Sequence, residues 1–392
     1  MKRYEKPLVN IAQLLRVVGL LLVFEAFFLV FPTLTCLYYS ESDWLPFATT
    51  SAGTFIIGSL LMSRIHPQTG HMGKRDGFLL TAMVWVIFSL FGMIPFLTCS
   101  KPLNISDAFF ESMSGFTTTG ASVLENNDGF SHGILLWRAL MQWIGGMGII
   151  LFTLAVVPML NHSGGMQMFN AEVTGITHDK IRPRISQTAK SLWMIYLSLT
   201  LILIGLLWLG PMDIFDSVCH AFGAISTGGF STESLDIASY HTVYVKVVLT
   251  VFMFLGGVNF GLIFKTFLGN FSAVRKNDVL RAYIWAIVGF YVLFVIAIVA
   301  RGEVHSWQDV TINPIFQVVS TITSTGYSSS HYEAWGPFVL ALMFVMMFSG
   351  ACAGSTSGGA KLDSVLILFK NCRNEVYRCI HPNAIMSVRM NG

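Results

Sequence analysis

The chain has 392 residues, of which 54% are hydrophobic and only 11% charged, with a formal net charge of +3. Soluble domains carry about 25% charged residues, so this composition excludes an ordinary soluble protein and points to one that faces lipid. The small net charge names no partner class; the placement of the charges carries the information.

A helix needs about 20 apolar residues to cross a hydrocarbon core. In chain order the candidate spans are Ile11–Tyr38, Phe47–Met62, Gly77–Leu97, Ser131–Leu160, Ile185–Leu209, Thr242–Leu268, Val279–Ala300 and Ala334–Lys370. The first follows MKRYEK like a signal sequence, yet its apolar run is too long for one, and it reads as an uncleaved span. The last is too long for one straight span and is interrupted by glycines. With the N-terminus cytoplasmic, 20 of the 24 Lys and Arg residues fall on the cytoplasmic side; Lys101, Arg138, Lys246 and Arg301 do not. Eight spans therefore obey the positive-inside rule. Thirteen of the 21 acids lie on the outer side, which suits a passing cation and a solvated loop equally well.

After the third, fifth and seventh spans comes a short apolar stretch of helical character: Ile105–Phe116, Met212–Ala224 and Trp307–Ile322. Each carries acids near its start (Asp107; Asp213 and Asp216; Asp309), which favours a helix N-terminus there. None is long enough to cross a membrane. Each is followed by a hydroxyl-and-glycine string: FTTTGAS at 116–122, ISTGGFS at 225–231 and TITSTGYSSS at 321–330. Gly120, Gly228 and Gly326 are 108 and 98 residues apart. Small residues recur in the next span, at Gly145-Gly146, Gly256-Gly257 and Ser349-Gly350. Span, half-helix, string, span is thus a threefold internal repeat, parallel in the membrane, at 77–160, 185–268 and 279–370. Residues 1–66 form two spans outside it, and 371–392 form a cytoplasmic tail or the start of a further repeat.

Irregular backbone at membrane depth is tolerated where it lines a wet cavity or is buried in protein. Strings of Gly, Ser and Thr can turn carbonyl and hydroxyl oxygens toward an axis and replace the hydration shell of an alkali cation. Small-residue packing seams explain a single such string; three in one topological position favour the cation reading. A second constellation, SGACAGSTSGGAK at 349–361, breaks the last span with few helix formers.

SGFTTTGAS, WRALMQWIGGMGII, AISTGGFST, TSTGYSS and GACAGSTSGGAK resemble the potassium-uptake membrane subunits of bacterial Trk systems, in the Trk/Ktr/HKT superfamily. The resemblance covers almost the whole chain. It implies an all-α polytopic inner-membrane protein whose span–pore-helix–span repeats surround a pseudo-fourfold pore, with two extra N-terminal spans. It implies potassium as the transported ion, no covalently bound cofactor, no enzymatic activity and no nucleic-acid partner. It further implies a homodimer with a cytoplasmic ring of nucleotide-binding (NAD or ATP) regulatory subunits.

Carried over by motif, the filter residues are Thr118, Thr119 and Gly120; Ser226, Thr227 and Gly228; and Ser324, Thr325 and Gly326. Gly350, Gly354, Ser355, Thr356, Ser357, Gly358, Gly359 and Lys361 form an intramembrane gating loop, a flexible plug under the filter. A packing seam is the alternative reading of that loop. No fourth string is found, so the expectation is a truncated chain or one that cannot close a fourfold pore alone. An ion-coupled symporter (H⁺/K⁺ or Na⁺/K⁺) is the alternative to channel-like uptake; parallel rather than inverted repeats count against it. No G-x-S-x-G and no paired acids within a span support a hydrolase. Of the remaining residues, Glu25 is expected to make an interhelical hydrogen bond, and Arg138 to brace a pore helix. Cys36 and Cys99 are near enough to the outer surface for a disulfide, with isolated buried thiols the better default.

Overall fold

The computed structural model describes residues 10–65, 74–124, 126–127, 129–146, 148, 185–302 and 306–381. Among these residues every regular element is helical. The chain divides into two compact units: Met1–Val173 with Arg182–Trp193, and Thr174–Ile181 with Met194–Gly392.

The first unit begins with α1 (Ile11–Tyr38) and α2 (Trp44–Arg64). Asn10 caps α1 by accepting the Gln13 N–H. The two helices cross at paired glycines: a Cβ on Gly19 would lie 2.8 Å from the Gly58 carbonyl oxygen, and one on Gly58 would lie 2.7 Å from that of Gly19. Small residues let backbones approach closely in a membrane, where hydrophobic burial does not drive helix association. Then follow α3 (Lys74–Gly92), α4 (Ile94–Thr98), α5 (Ile105–Phe116) and α6 (His132–Gly146). The rest of the expected fourth span lies outside the described residues.

Glu25, in the middle of α1, is buried against Gly92, and neither carboxyl oxygen has a hydrogen-bond partner. Among the described residues the expected interhelical hydrogen bond is not made.

Beyond α6 comes α7 (Ile185–Trp208), and the second unit goes on with α8 (Ile214–Ile225), α9 (Val243–Gly256) and α10 (Phe260–Phe267). The sixth expected span, Thr242–Leu268, is not straight: α9 and α10 are bent by 102°. Gly256-Gly257 end one helix, and Asn259 starts the next by accepting the Leu262 N–H. After α11 (Phe271–Arg275), α12 (Asp278–Arg301) is a single long span.

The third short apolar stretch is two helices, α13 (Trp307–Val310) and α14 (Ile312–Ile322). Pro314 has no N–H for the Val310 carbonyl and its ring crowds that oxygen; the Tyr291 hydroxyl lies 3.4 Å from it. The expected span Ala334–Lys370 is likewise broken, into α15 (Pro337–Ser349), an irregular loop and α16 (Leu362–Ile380). All six cysteines are free, including the buried Cys36 and Cys99.

Candidate ion-binding strings and intramembrane loop

Three short helices, α5, α8 and α14, end in the same way. Thr117, Ser226 and Thr323 close them, their N–H groups donating to Met113, Phe222 and Val319 at 2.9, 3.1 and 3.0 Å. The next residues, Thr118, Thr227 and Ser324, adopt φ of +54°, +53° and +56°. This left-handed conformation costs an L-residue about 1–2 kcal/mol. Thr119, Gly228 and Thr325 then reach back to Ser114, Gly223 and Ser320, each at 2.9 Å. Gly120, Gly229 and Gly326 follow with φ of +76°, +78° and +87°. Strain of this kind persists only where the surroundings over-determine it.

The common backbone sets the register of the second string one residue later than the sequence spacing gave. Gly229, not Gly228, stands where Gly120 and Gly326 stand, and Ser226 is the helix cap. The sequence spacing takes Gly228 as the string glycine; the matching hydrogen bonds and positive φ put Gly229 at that position.

Hydroxyls stiffen two of the strings alike. The Ser114 Oγ donates to the Ala121 carbonyl at 2.5 Å, as Ser320 does to Tyr327 at 2.7 Å. The Thr117 and Thr119 hydroxyls meet at 2.8 Å, as do those of Thr323 and Thr325. The second string has Gly223 where the others have Ser114 and Ser320.

In the first unit Glu111 accepts from the Val123 N–H at 3.0 Å, from the Ser122 hydroxyl, and from Arg138 Nε at 2.7 Å. Arg138 also donates to Asn127 and Ser122. Both charged side chains are buried. Arg138 thus braces α5 as expected; Glu111 was missed, although an acid inside a short apolar helix ahead of a lone arginine was a visible signal. The residue at the same register in α8 is His220, with a ring nitrogen 3.1 Å from the Ser231 hydroxyl. In the second unit Lys246 donates to Asn313 Oδ1 at 2.9 Å and to the Ser329 carbonyl at 3.1 Å, tying α9 to α14.

The loop between α15 and α16 fits into the bend between α9 and α10. Ending α9 early frees carbonyls that need donors. Cys352 N–H donates to Gly257 at 3.1 Å, and both the N–H and the hydroxyl of Thr356 donate to Gly256, at 3.3 and 3.2 Å. Asn259 Nδ2 donates to Ala353, and Phe260 N–H to Gly354. The loop also reaches both strings of this unit. The Thr356 hydroxyl lies 3.0 Å from the carbonyl of Ile225, the last residue of α8. Ser324 Oγ accepts the Gly358 N–H at 2.6 Å and lies 3.2 Å from the Ser357 hydroxyl.

Gly350, Gly354 and Gly359 have positive φ, and a Cβ on Gly350 would come within 2.3 Å of the Gly358 carbonyl. Ser355 Oγ donates to Cys352, and Lys361, itself at positive φ, donates to the Ser357 carbonyl. The loop is therefore hydrogen-bonded to the last residue of α8 and to the string that follows α14. Among the described residues no group of three or more His, Cys, Asp or Glu side chains is placed to hold a metal ion.

Short helices ending in matched strings, between helices long and apolar enough to cross a membrane, belong to a polytopic membrane protein. The family model described as "Cation transport protein", TrkH, matches residues 46–392. The Trk system potassium uptake protein TrkH of Escherichia coli K12 is 38% identical over 380 residues, covering 96% of this chain and 78% of that protein. TrkG of the same organism is 31% identical over 367 residues, covering 92% and 75%. The crystal structure of the potassium transporter TrkH from Vibrio parahaemolyticus superimposes with a TM-score of 0.87 at 32% identity, covering 98% of this chain and 79% of that one. This chain belongs to the TrkH family of cation transport proteins. It is a transporter rather than an enzyme.

Proposed function

We propose that the chain takes up K⁺ through a channel-like path. Its ion-coordinating oxygens come from Thr118–Gly120, from Ser226–Gly228 together with Gly229, and from Ser324–Gly326. The repeats at 77–160, 185–268 and 279–370 act as successive pore segments, and 1–66 as two flanking spans. The observation that carries this reading is the common strained backbone of the three strings: one costly conformation repeated three times is worth keeping where carbonyls must be presented in a fixed geometry. The relatives' description as potassium uptake proteins supplies the ion.

Residues 350–361 act as the gate. They bond at once to the ends of α8 and α14 and to the bend after α9, so a shift of the loop changes what lies beneath both strings. We extend the reading to a homodimer in the bacterial inner membrane, N-terminus cytoplasmic, regulated by a cytoplasmic nucleotide-binding ring.

The test is ion uptake by the full-length protein in liposomes. Wild-type vesicles should take up K⁺ in preference to Na⁺, and Gly120→Ser should lower that preference, since a side chain crowds the oxygen geometry. An unchanged K⁺/Na⁺ ratio in Gly120→Ser removes the first string from the filter.

A further inference from the structure

Tyr327 follows Gly326 directly, and its side chain is fully buried. Its hydroxyl lies 3.2 Å from two carbonyl oxygens, those of His220 and Phe230. His220 belongs to α8, which carries the second string, and Phe230 follows Gly229 at that string's far end. The single hydroxyl proton of Tyr327 is therefore shared between carbonyls on the two sides of the second string's strained turn. The phenol ring also packs on the His220 imidazole, with centroids 5.9 Å apart.

The two strings are in contact elsewhere. A Cβ on Gly229 would lie 1.8 Å from the Thr325 carbonyl oxygen, so only glycine allows this approach. Just beyond, Ala238 N–H donates to the Ser328 carbonyl at 3.1 Å, and Ser328 N–H donates to Asp236 Oδ2 at 2.6 Å. At the register of Tyr327 the other strings carry Ala121 and Phe230, neither with a hydroxyl. Tyr327 is thus the one side-chain donor at this position among the three strings.

We propose that Tyr327 is a positioning residue for ion selection: its hydroxyl fixes the separation of the second and third strings, and with it the spacing of the oxygens that tell K⁺ from Na⁺. The inference rests on the reading of these strings as the coordinating segments. Such discrimination depends on how firmly the oxygens are held at a spacing suited to the larger ion. A buried hydroxyl clasping the neighbouring backbone resists the inward collapse that would suit the smaller one. Loss of the clasp leaves the ring and its packing intact but frees the Phe230 carbonyl to turn.

The experiment is competitive K⁺ and Na⁺ uptake by the full-length protein in liposomes, read as a ratio so that the amount inserted cancels. Tyr327→Phe should lower the K⁺/Na⁺ ratio about three- to tenfold, the range corresponding to one hydrogen bond. Tyr244→Phe removes a tyrosine hydrogen bond away from the strings, to the Leu206 carbonyl, and should leave the ratio unchanged. Tyr327→4-aminophenylalanine keeps a donor and should restore most of the preference.

A wild-type ratio in Tyr327→Phe overturns the inference, since the ring would then act by packing alone. If Tyr327→Phe does not insert, the amino variant decides: a retained preference supports the clasp and a lost one overturns it. Wild-type vesicles that do not prefer K⁺ would defeat the underlying reading, a result separate from that of any variant.

Discussion

The first string and the pair formed by the second and third share one backbone but are held by different chemistry. In the first unit the support is an ion pair, Glu111 with Arg138, buried within a single repeat. In the second unit it is a set of separate hydrogen bonds that runs between repeats: the Tyr327 hydroxyl, the bonds of Ser328 to Ala238 and to the Asp236 carboxyl, the Lys246 ammonium on Asn313 and Ser329, and the loop at 350–361. A buried pair is strong only while both members are present, because each alone would be an uncompensated charge. A net of separate hydrogen bonds fails piecemeal, at about 0.5–1.5 kcal/mol per neutral bond. The same turn should therefore be brittle in one unit and graded in the other.

The widest gap between the two should follow from Arg138→Met. It leaves the Glu111 carboxylate buried without its cation and should cost about 3–5 kcal/mol. Thermal unfolding of the purified protein in detergent should show a large fall in midpoint. The double variant Glu111→Gln with Arg138→Met should recover much of it, since no charge is then stranded. If the single and double variants unfold alike, the brittleness is not electrostatic.

A smaller effect is expected at the glycines that follow each string. A Cβ on Gly145 would lie 1.9 Å from the carbonyl oxygen of Phe116, the last residue of α5. The corresponding Gly256 has more room: its nearest neighbours would be Thr227 Cγ2 at 3.2 Å and the Ile225 carbonyl at 3.4 Å. Gly145→Ala must push backbone aside, at about 1–3 kcal/mol, whereas Gly256→Ala should cost under about 1 kcal/mol. Equal losses of stability would mean that the two contacts do not differ in the folded protein.

Much of this was legible beforehand. The three strings, their short helices and the glycine-rich loop stand out because helix formers are absent where a span should continue, and hydroxyls are dense where lipid would exclude them. Three things were not legible. The register of the second string was hidden by Gly228-Gly229, since either glycine can end a hydroxyl-and-glycine string and Ser226-Thr227-Gly228 resembles Ser324-Thr325-Gly326 more closely in composition. The 102° bend after Gly256 was hidden because an apolar run reads as one span whether or not the backbone turns within it; only the loop that caps the freed carbonyls makes the turn affordable. The clasp at Tyr327 was hidden because burial of a hydroxyl against a distant carbonyl leaves no trace in local pattern. Glu25 is the converse: its position was plain, but among the described residues it has no hydrogen-bond partner.

The smallest effect concerns pH and the outer tie between the second and third strings. Asp236 lies between the second string and α9, outside the spanning helices, and accepts the Ser328 N–H. Burial pushes its carboxyl from the usual range up to about 7, against the lowering effect of the hydrogen bonds it accepts. A folded-state value above the unfolded one means that the folded protein holds the proton more tightly. Asp236 then costs no stability below pH 4, and the cost grows until the pH passes about 7. Asp236→Asn cannot ionise, so its unfolding midpoint should exceed that of the wild type by roughly 1–3 °C at pH 8 and match it at pH 4. If Asp236→Asn lowers the midpoint at pH 8, the ionised carboxylate is a net support of the tie rather than a cost.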